Sequence, residues 1–185
     1  SRLPPVDIPL IEGAPIVRVP QFKLNREMSQ ELEKFLNKLE AAGTISKSTS
    51  PWNSPIFLVR KHTQPGDPPA YRMVCDFRCL NRYIANSFHN MCTTEDAVDM
   101  ISQQMNEARA NGQADPPLLL SVLDNRSGFH SLPINPTSRP CTAISGPTFH
   151  YTYNVMPMGM KASSSFFQAS LTSLLKTVLN TGLCL

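Results

Sequence analysis

Apolar positions recur at the three-and-four spacing of a helix face in three stretches of the chain, and between them they cluster as strands. The first stretch carries Met28, Leu32, Phe35, Leu36 and Leu39 on one side, with Asn25 placed to cap it and Glu27 at its positive end. Gly43 stops it. A second helix is predicted over 94–109, where Thr93 and Asp96 have capping-box spacing and Ala97, Val98, Ile101, Met105 and Ala108 form a buried stripe. A third begins after Ser163 or Ser164 as cap, with Phe167, Leu171, Leu174, Leu175 and Val178 on one face and Gly182 beyond its end. Residues 56–61 and 71–77 read as two strands joined by a Pro- and Gly-containing loop, and 141–144 with 149–156 as a second hairpin across Ser145-Gly146-Pro147. Leu118-Leu119-Leu120-Ser121-Val122-Leu123, introduced by Pro116-Pro117, has too few alternating polar positions for a wet face and predicts a strand covered on both sides. Leu183-Cys184-Leu185 reads as the start of another.

Prolines punctuate this pattern. Pro4, Pro5, Pro9, Pro15 and Pro20 exclude a helix from the first twenty residues, which should lie extended on the surface of the folded chain. The polar connector 45–55 carries the only tryptophan, Trp52, expected as a packing anchor. With 41% hydrophobic and 17% charged residues among 185, the chain is of globular type. A net charge of +3 permits nucleic-acid contact without arguing for it. No apolar run reaches membrane-spanning length and the N-terminus has no signal-peptide profile, so an intracellular protein, cytoplasmic or nuclear, without membrane association is expected. Five cysteines, odd in number and without zinc-site spacing, read as free buried thiols in a reducing compartment.

Two groups could carry chemistry. Asp124 ends the buried strand, and a carboxylate there must meet a cation, a helix N-terminus or the next turn's N–H groups. Either it caps that turn or it holds an ion. Ser127-Gly128 then turns the chain, and Phe129 comes next, where it could wall a pocket. Arg60, Lys61 and Arg72 cluster near the turn of the first hairpin. They form either a solvated edge that discourages strand pairing or a cationic flap for a phosphate chain.

In order along the chain, five strings carry a family resemblance. They are Ser50-Pro51-Trp52-Asn53-Ser54-Pro55; Phe57-Leu58-Val59-Arg60-Lys61; Tyr71-Arg72-Met73-Val74-Cys75-Asp76-Phe77-Arg78-Cys79-Leu80-Asn81; Leu123-Asp124 with Ser127-Gly128-Phe129-His130; and Met156-Pro157-Met158-Gly159-Met160-Lys161 leading to Phe167-Gln168. Together they resemble the reverse transcriptases of gypsy-type long-terminal-repeat retrotransposons and, more distantly, those of retroviruses.

The resemblance implies an α+β fold, the fingers and partial palm of a right-hand polymerase with antiparallel sheets packed with helices. Residues 1–24 would be an extended N-terminal segment, 25–117 the fingers-like region, and 118–185 a palm that stops before the Tyr-x-Asp-Asp hairpin holding the other two metal-binding carboxylates. It implies RNA-directed DNA synthesis by two-metal phosphoryl transfer, with Asp124 as catalytic metal ligand and two Mg2+ ions in the complete site. Lys61 and Arg72 match the finger residues that contact the incoming deoxynucleoside triphosphate. Phe129 matches the aromatic beneath the sugar that excludes a ribose 2′ hydroxyl. Met158 and Gly159 match the loop bordering nucleotide and template, where retroviral enzymes carry glutamine in place of Met158. Lys161 would lie near the backbone of an RNA or DNA template paired with its primer. With one carboxylate of three, the isolated chain is expected to be inactive. A non-catalytic module derived from such an element, kept for nucleic-acid binding or protein interaction or simply decayed, would retain Asp124, Lys61 and Arg72 equally.

Overall fold

The computed structural model describes residues 3–62, 64, 66, 69–86, 93–114, 125 and 127–179. The predicted strand 118–123, Asp124 and the closing Leu183-Cys184-Leu185 with Gly182 lie outside the described residues. The chain forms two compact units, Ser1–Ser87 with Ser127–Phe167, and Phe88–Arg126 with Gln168–Leu185.

In the first unit, helix α1 (Arg26–Ala41) begins where the sequence predicts: the Asn25 side chain accepts the Met28 N–H at 2.8 Å. Leu32 and Leu36 are buried on its inner face, and Gly43, at φ +69°, lets the chain leave the helix. Strand β1 (Ile45–Lys47) pairs antiparallel with β5 (His150–Tyr153), which pairs on its other side with β4 (Ile144–Ser145), giving the order β1-β5-β4. A separate ladder joins β2 (Ile56–Arg60) to β3 (Tyr71–Cys75), and the single-turn helix α2 (Arg78–Asn81) comes after it. The core gathers Leu32, Leu36, Ile45, Ile56, Phe77, Leu80, Ile84, Leu132, Ile134, Ile144, Tyr151 and Met156. Trp52 packs against it, as expected of an anchor.

The N-terminal segment is extended and bound at three places. Val6 bridges Ile134, Leu10 bridges Ile84, and Arg18 bridges Asn53. Proline-rich chain cannot supply a full strand ladder, so contact is made one bridge at a time. Gln21 then mimics a strand partner: its amide donates to the Ile56 carbonyl at 2.6 Å and accepts the Ile56 N–H at 2.7 Å.

The second predicted hairpin is shorter than its pattern suggests. Cys141-Thr142 belongs to a 3-10 turn, Arg139–Thr142, opened by Pro140, and only Ile144–Ser145 remains as strand. Helix α4 (Ser163–Leu179) crosses the boundary between the units. Ser163, expected as a possible cap, is the first residue of the helix, and its hydroxyl donates to the Pro157 carbonyl at 2.8 Å.

In the second unit, α3 (Thr94–Ala110) has its capping box. The Thr93 hydroxyl accepts the Asp96 N–H at 3.1 Å, and the Asp96 carboxylate accepts the Thr93 N–H at 2.8 Å. Its stripe is not buried as expected. Ala97, Ile101, Met105 and Ala108 are half-buried, and Val98, one position off that line, is 56% exposed. Helices with antiparallel sheets make the architecture α+β, as the resemblance implied. Compactness does not bear on the divisions expected at 24/25 and 117/118; β1, before the second, shares a sheet with β5, after it.

Candidate nucleotide and nucleic-acid site

The β2–β3 register decides which of the hairpin's cations share a face. Val59 lies opposite Arg72 and Arg60 opposite Tyr71, and the Lys61 N–H continues the ladder by donating to the Ala70 carbonyl at 2.8 Å. Because the pleat alternates, Lys61 and Arg72 share one face as diagonal neighbours, which stand about 7–8 Å apart in such a pair, within reach of long side chains. Arg60 takes the other face. All three are exposed, and among the described residues the Lys61 and Arg72 side chains have no hydrogen-bond or ion-pair partner. Two cations on one face of a hairpin, without a partner among the described residues, can engage one anion together.

At the exit of β3, Arg78 grips Asp76. Its Nε donates to Oδ1 at 2.8 Å, its Nη2 to Oδ2 at 2.7 Å, and its backbone N–H to Oδ1 at 3.1 Å. These bonds hold the Asp76 carboxyl below the usual range. With both oxygens engaged, Asp76 is neither a free base nor an open metal ligand. Among the described residues no three His, Cys, Asp or Glu side chains gather as metal ligands, so these residues do not by themselves make an ion site.

Along 156–160 the methionines alternate: Met156 and Met160 are buried, and Met158 between them is 66% exposed. Gly159, at φ +87°, permits this excursion, since that backbone region strains any residue with a Cβ. Asn81, at the end of α2, fixes the loop: its Nδ2 donates to the Gly159 carbonyl at 3.0 Å and its Oδ1 accepts the Lys161 N–H at 2.9 Å. Lys161 is exposed, yet its ammonium donates to the Ile84 carbonyl at 3.1 Å, which leaves two of its three N–H donors.

Phe129 sits in a 3-10 turn, Gly128–Ser131, entered through Ser127 in the left-handed region at φ 57°. Its ring meets Phe167 edge-to-face, centroids 5.4 Å apart. The same Phe167 presses on the backbone of Gly128, where a Cβ would lie 2.7 Å from Cζ. Close approach of this ring favours a glycine here, while the left-handed turn itself falls on Ser127. Burial pushes the neighbouring His130 imidazole below its ordinary pKa.

Of the residues singled out in the sequence, Lys61 and Arg72 come together on one face, Met158, Gly159 and Lys161 share one loop, and Phe129 is fixed by Phe167. Asp124 lies outside the described residues. Asn81 received no role from its position in the motif. Its signal was a side chain able to donate and accept at once, placed where β3 and α2 end.

The family model described as "Reverse transcriptase (RNA-dependent DNA polymerase)" matches residues 59–184. The enzymatic polyprotein of Cauliflower mosaic virus (strain NY8153) is 27% identical over 161 residues, covering 87% of this chain and 22% of that protein. A solved foamy viral protease-reverse transcriptase, in complex with double-stranded DNA, superposes with a TM-score of 0.66 at 22% identity, covering 95% of this chain and 27% of that one. At that identity the superposition shows a shared fold. The chain thus spans about a quarter or less of the length of either protein.

Proposed function

Since the chain belongs to the reverse transcriptase (RNA-dependent DNA polymerase) family, we propose that it forms the fingers and part of the palm of an RNA-directed DNA polymerase encoded by a retroelement. The observation that carries this reading is the pair Lys61 and Arg72, unneutralised and on one face of the finger hairpin, where they would meet the triphosphate of an incoming deoxynucleotide. Bound phosphate oxygens would take charge-assisted hydrogen bonds from both, which orients the nucleotide for in-line attack by a primer 3′ hydroxyl. Phe129, held edge-on by Phe167, would supply the wall that excludes a 2′ hydroxyl. Met158 and Gly159 would border the nucleotide, and Lys161 would offer its remaining donors to the template backbone. The Ser50–Pro55 and Tyr71–Asn81 strings favour a gypsy-type parent, acting inside the cell on an RNA or DNA template with its primer. Bound Mg2+ would stabilise the charge that develops at the phosphoryl centre, and Asp124 is the residue proposed to hold it.

The test is primer extension by the longest natural product that contains this chain. Arg72→Ala should raise the KM for deoxynucleotides about ten- to a hundredfold, the range for losing hydrogen bonds to a charged group. Asp124→Asn should abolish extension while template–primer binding stays nearly intact. An unchanged KM in the first variant refutes the finger assignment, and retained extension in the second refutes the metal assignment.

A further inference from the structure

The side-chain amide of Asn81 is used entirely on the backbone of a loop 78 and 80 residues further along, one bond to the Gly159 carbonyl and one from the Lys161 N–H. These bonds bracket Met160, itself buried, and so fix the peptide planes on both sides of it. Three residues after Asn81, the Ile84 carbonyl accepts the Lys161 ammonium at 3.1 Å. One short segment, 81–84, therefore grips Lys161 at its backbone and at its tip. The loop has other anchors. Met156 and Met160 already bury it, and Ser163 ties the Pro157 carbonyl. What the amide adds is orientation: it sets the direction of the left-handed Gly159 and hence the exit of the exposed Met158.

We propose that Asn81 is a positioning residue for nucleotide binding, acting through the Gly159 carbonyl and the Lys161 N–H to hold the Met158-Gly159 corner toward the incoming nucleotide. The inference rests on the reading of that loop as the nucleotide's border. The chemistry asks for an amide. An aspartate can accept the Lys161 N–H but sets a carboxylate against the Gly159 carbonyl, and alanine does neither. Both bonds are exposed to water, so their loss affects the loop more than global stability.

Two measurements test the proposal separately. Amide hydrogen exchange on the chain itself should quicken at Lys161 by at least about tenfold in Asn81→Ala and stay slow in Asn81→Asp, since only the first loses the acceptor. In primer extension by the longest natural product, Asn81→Ala should raise the deoxynucleotide KM about tenfold, with kcat and melting temperature unchanged. A purely structural role would instead lower the melting temperature and kcat together. Unchanged exchange at Lys161 overturns the clamp whatever the enzyme does. An unchanged KM in an active Asn81→Ala enzyme overturns the positioning role and leaves the polymerase reading standing. A wild-type product that extends no primer with any divalent metal overturns the polymerase reading and the positioning role with it, while the exchange data still decide the clamp.

Discussion

At the scale of the residue, burial and local partners override what each side chain would do in water. Cys75 lies 3.3 Å from the Tyr153 hydroxyl, and burial pushes its thiol up to about 11 against the smaller opposing effect of that contact. Cys141, whose Sγ donates to the Ser138 carbonyl, is pushed up to about 12, again by burial first. At each position the native protein keeps a proton that the unfolded chain loses near pH 9. The stabilisation is complete below pH 9 and is lost as pH climbs through 11 to 12. Denaturant midpoints should therefore hold level to about pH 8.5 and fall beyond it, and a flat profile to pH 11 would contradict the burial of these thiols. At pH 8 the reactive thiolate at Cys75 is scarcer by about a hundredfold than in a cysteine of ordinary pKa, so iodoacetamide should modify Cys75 slowly until the chain is unfolded. Free thiols were legible from spacing, and among the described residues Cys75, Cys79 and Cys141 are free; the expected burial is complete at Cys141 and partial at Cys75 and Cys79, because it depends on which surfaces close over each one.

At the scale of the element, legibility tracked locality. Helix α1 was readable almost to its ends because Asn25, the three-and-four spacing and Gly43 all act within a few residues of where they stand. The β2–β3 hairpin was readable for the same reason, but its register was not: the three cations expected to cluster at the turn divide, Lys61 and Arg72 on one face and Arg60 on the other. Strand β4 was overestimated because Thr142 is drawn into a 3-10 turn and its hydroxyl accepts the Tyr153 N–H at 2.8 Å, a contact between positions 11 apart. Gly128 was read as a turn residue, while the ring pressing on it belongs to Phe167 on another element. In α3 the local signals were right, cap and period alike, and burial was the part that failed. A helix with no buried residue opens more easily than one whose Leu32 and Leu36 are sealed. Native-state hydrogen exchange should show mid-helix amides of α1 protected at least about a hundredfold more than those of α3. Equal protection would mean that α3 is held by more than its own described packing.

At the scale of the whole molecule, the N-terminal segment binds parts of the first unit that are far apart in sequence. Near one bridge the Val6 N–H donates to the Pro133 carbonyl, and near the next the Ile11 N–H donates to Tyr83, both at 2.9 Å. Between them Ile8 enters the core at 6% exposure, its N–H accepted by the Ser138 hydroxyl at 3.1 Å. Further on, Ile16 is 57% exposed. The two isoleucines have the same chemistry and the same proline-rich neighbourhood, so comparing them isolates burial. Ile8→Ala should cost about 2–5 kcal/mol, the range for emptying an aliphatic core site, against a total stability of order 5–15 kcal/mol for a domain. Ile16→Ala should fall within about 0.5 kcal/mol of the parent. Urea midpoints at constant m-value give both numbers. The Ile8 variant should also loosen the Leu10–Ile84 bridge, and with it the carbonyl that holds the Lys161 ammonium. Equal, small effects at the two positions would mean that this segment lies on the molecule without being part of its core. A large loss at Ile8 alone would make the segment a structural strap of the first unit.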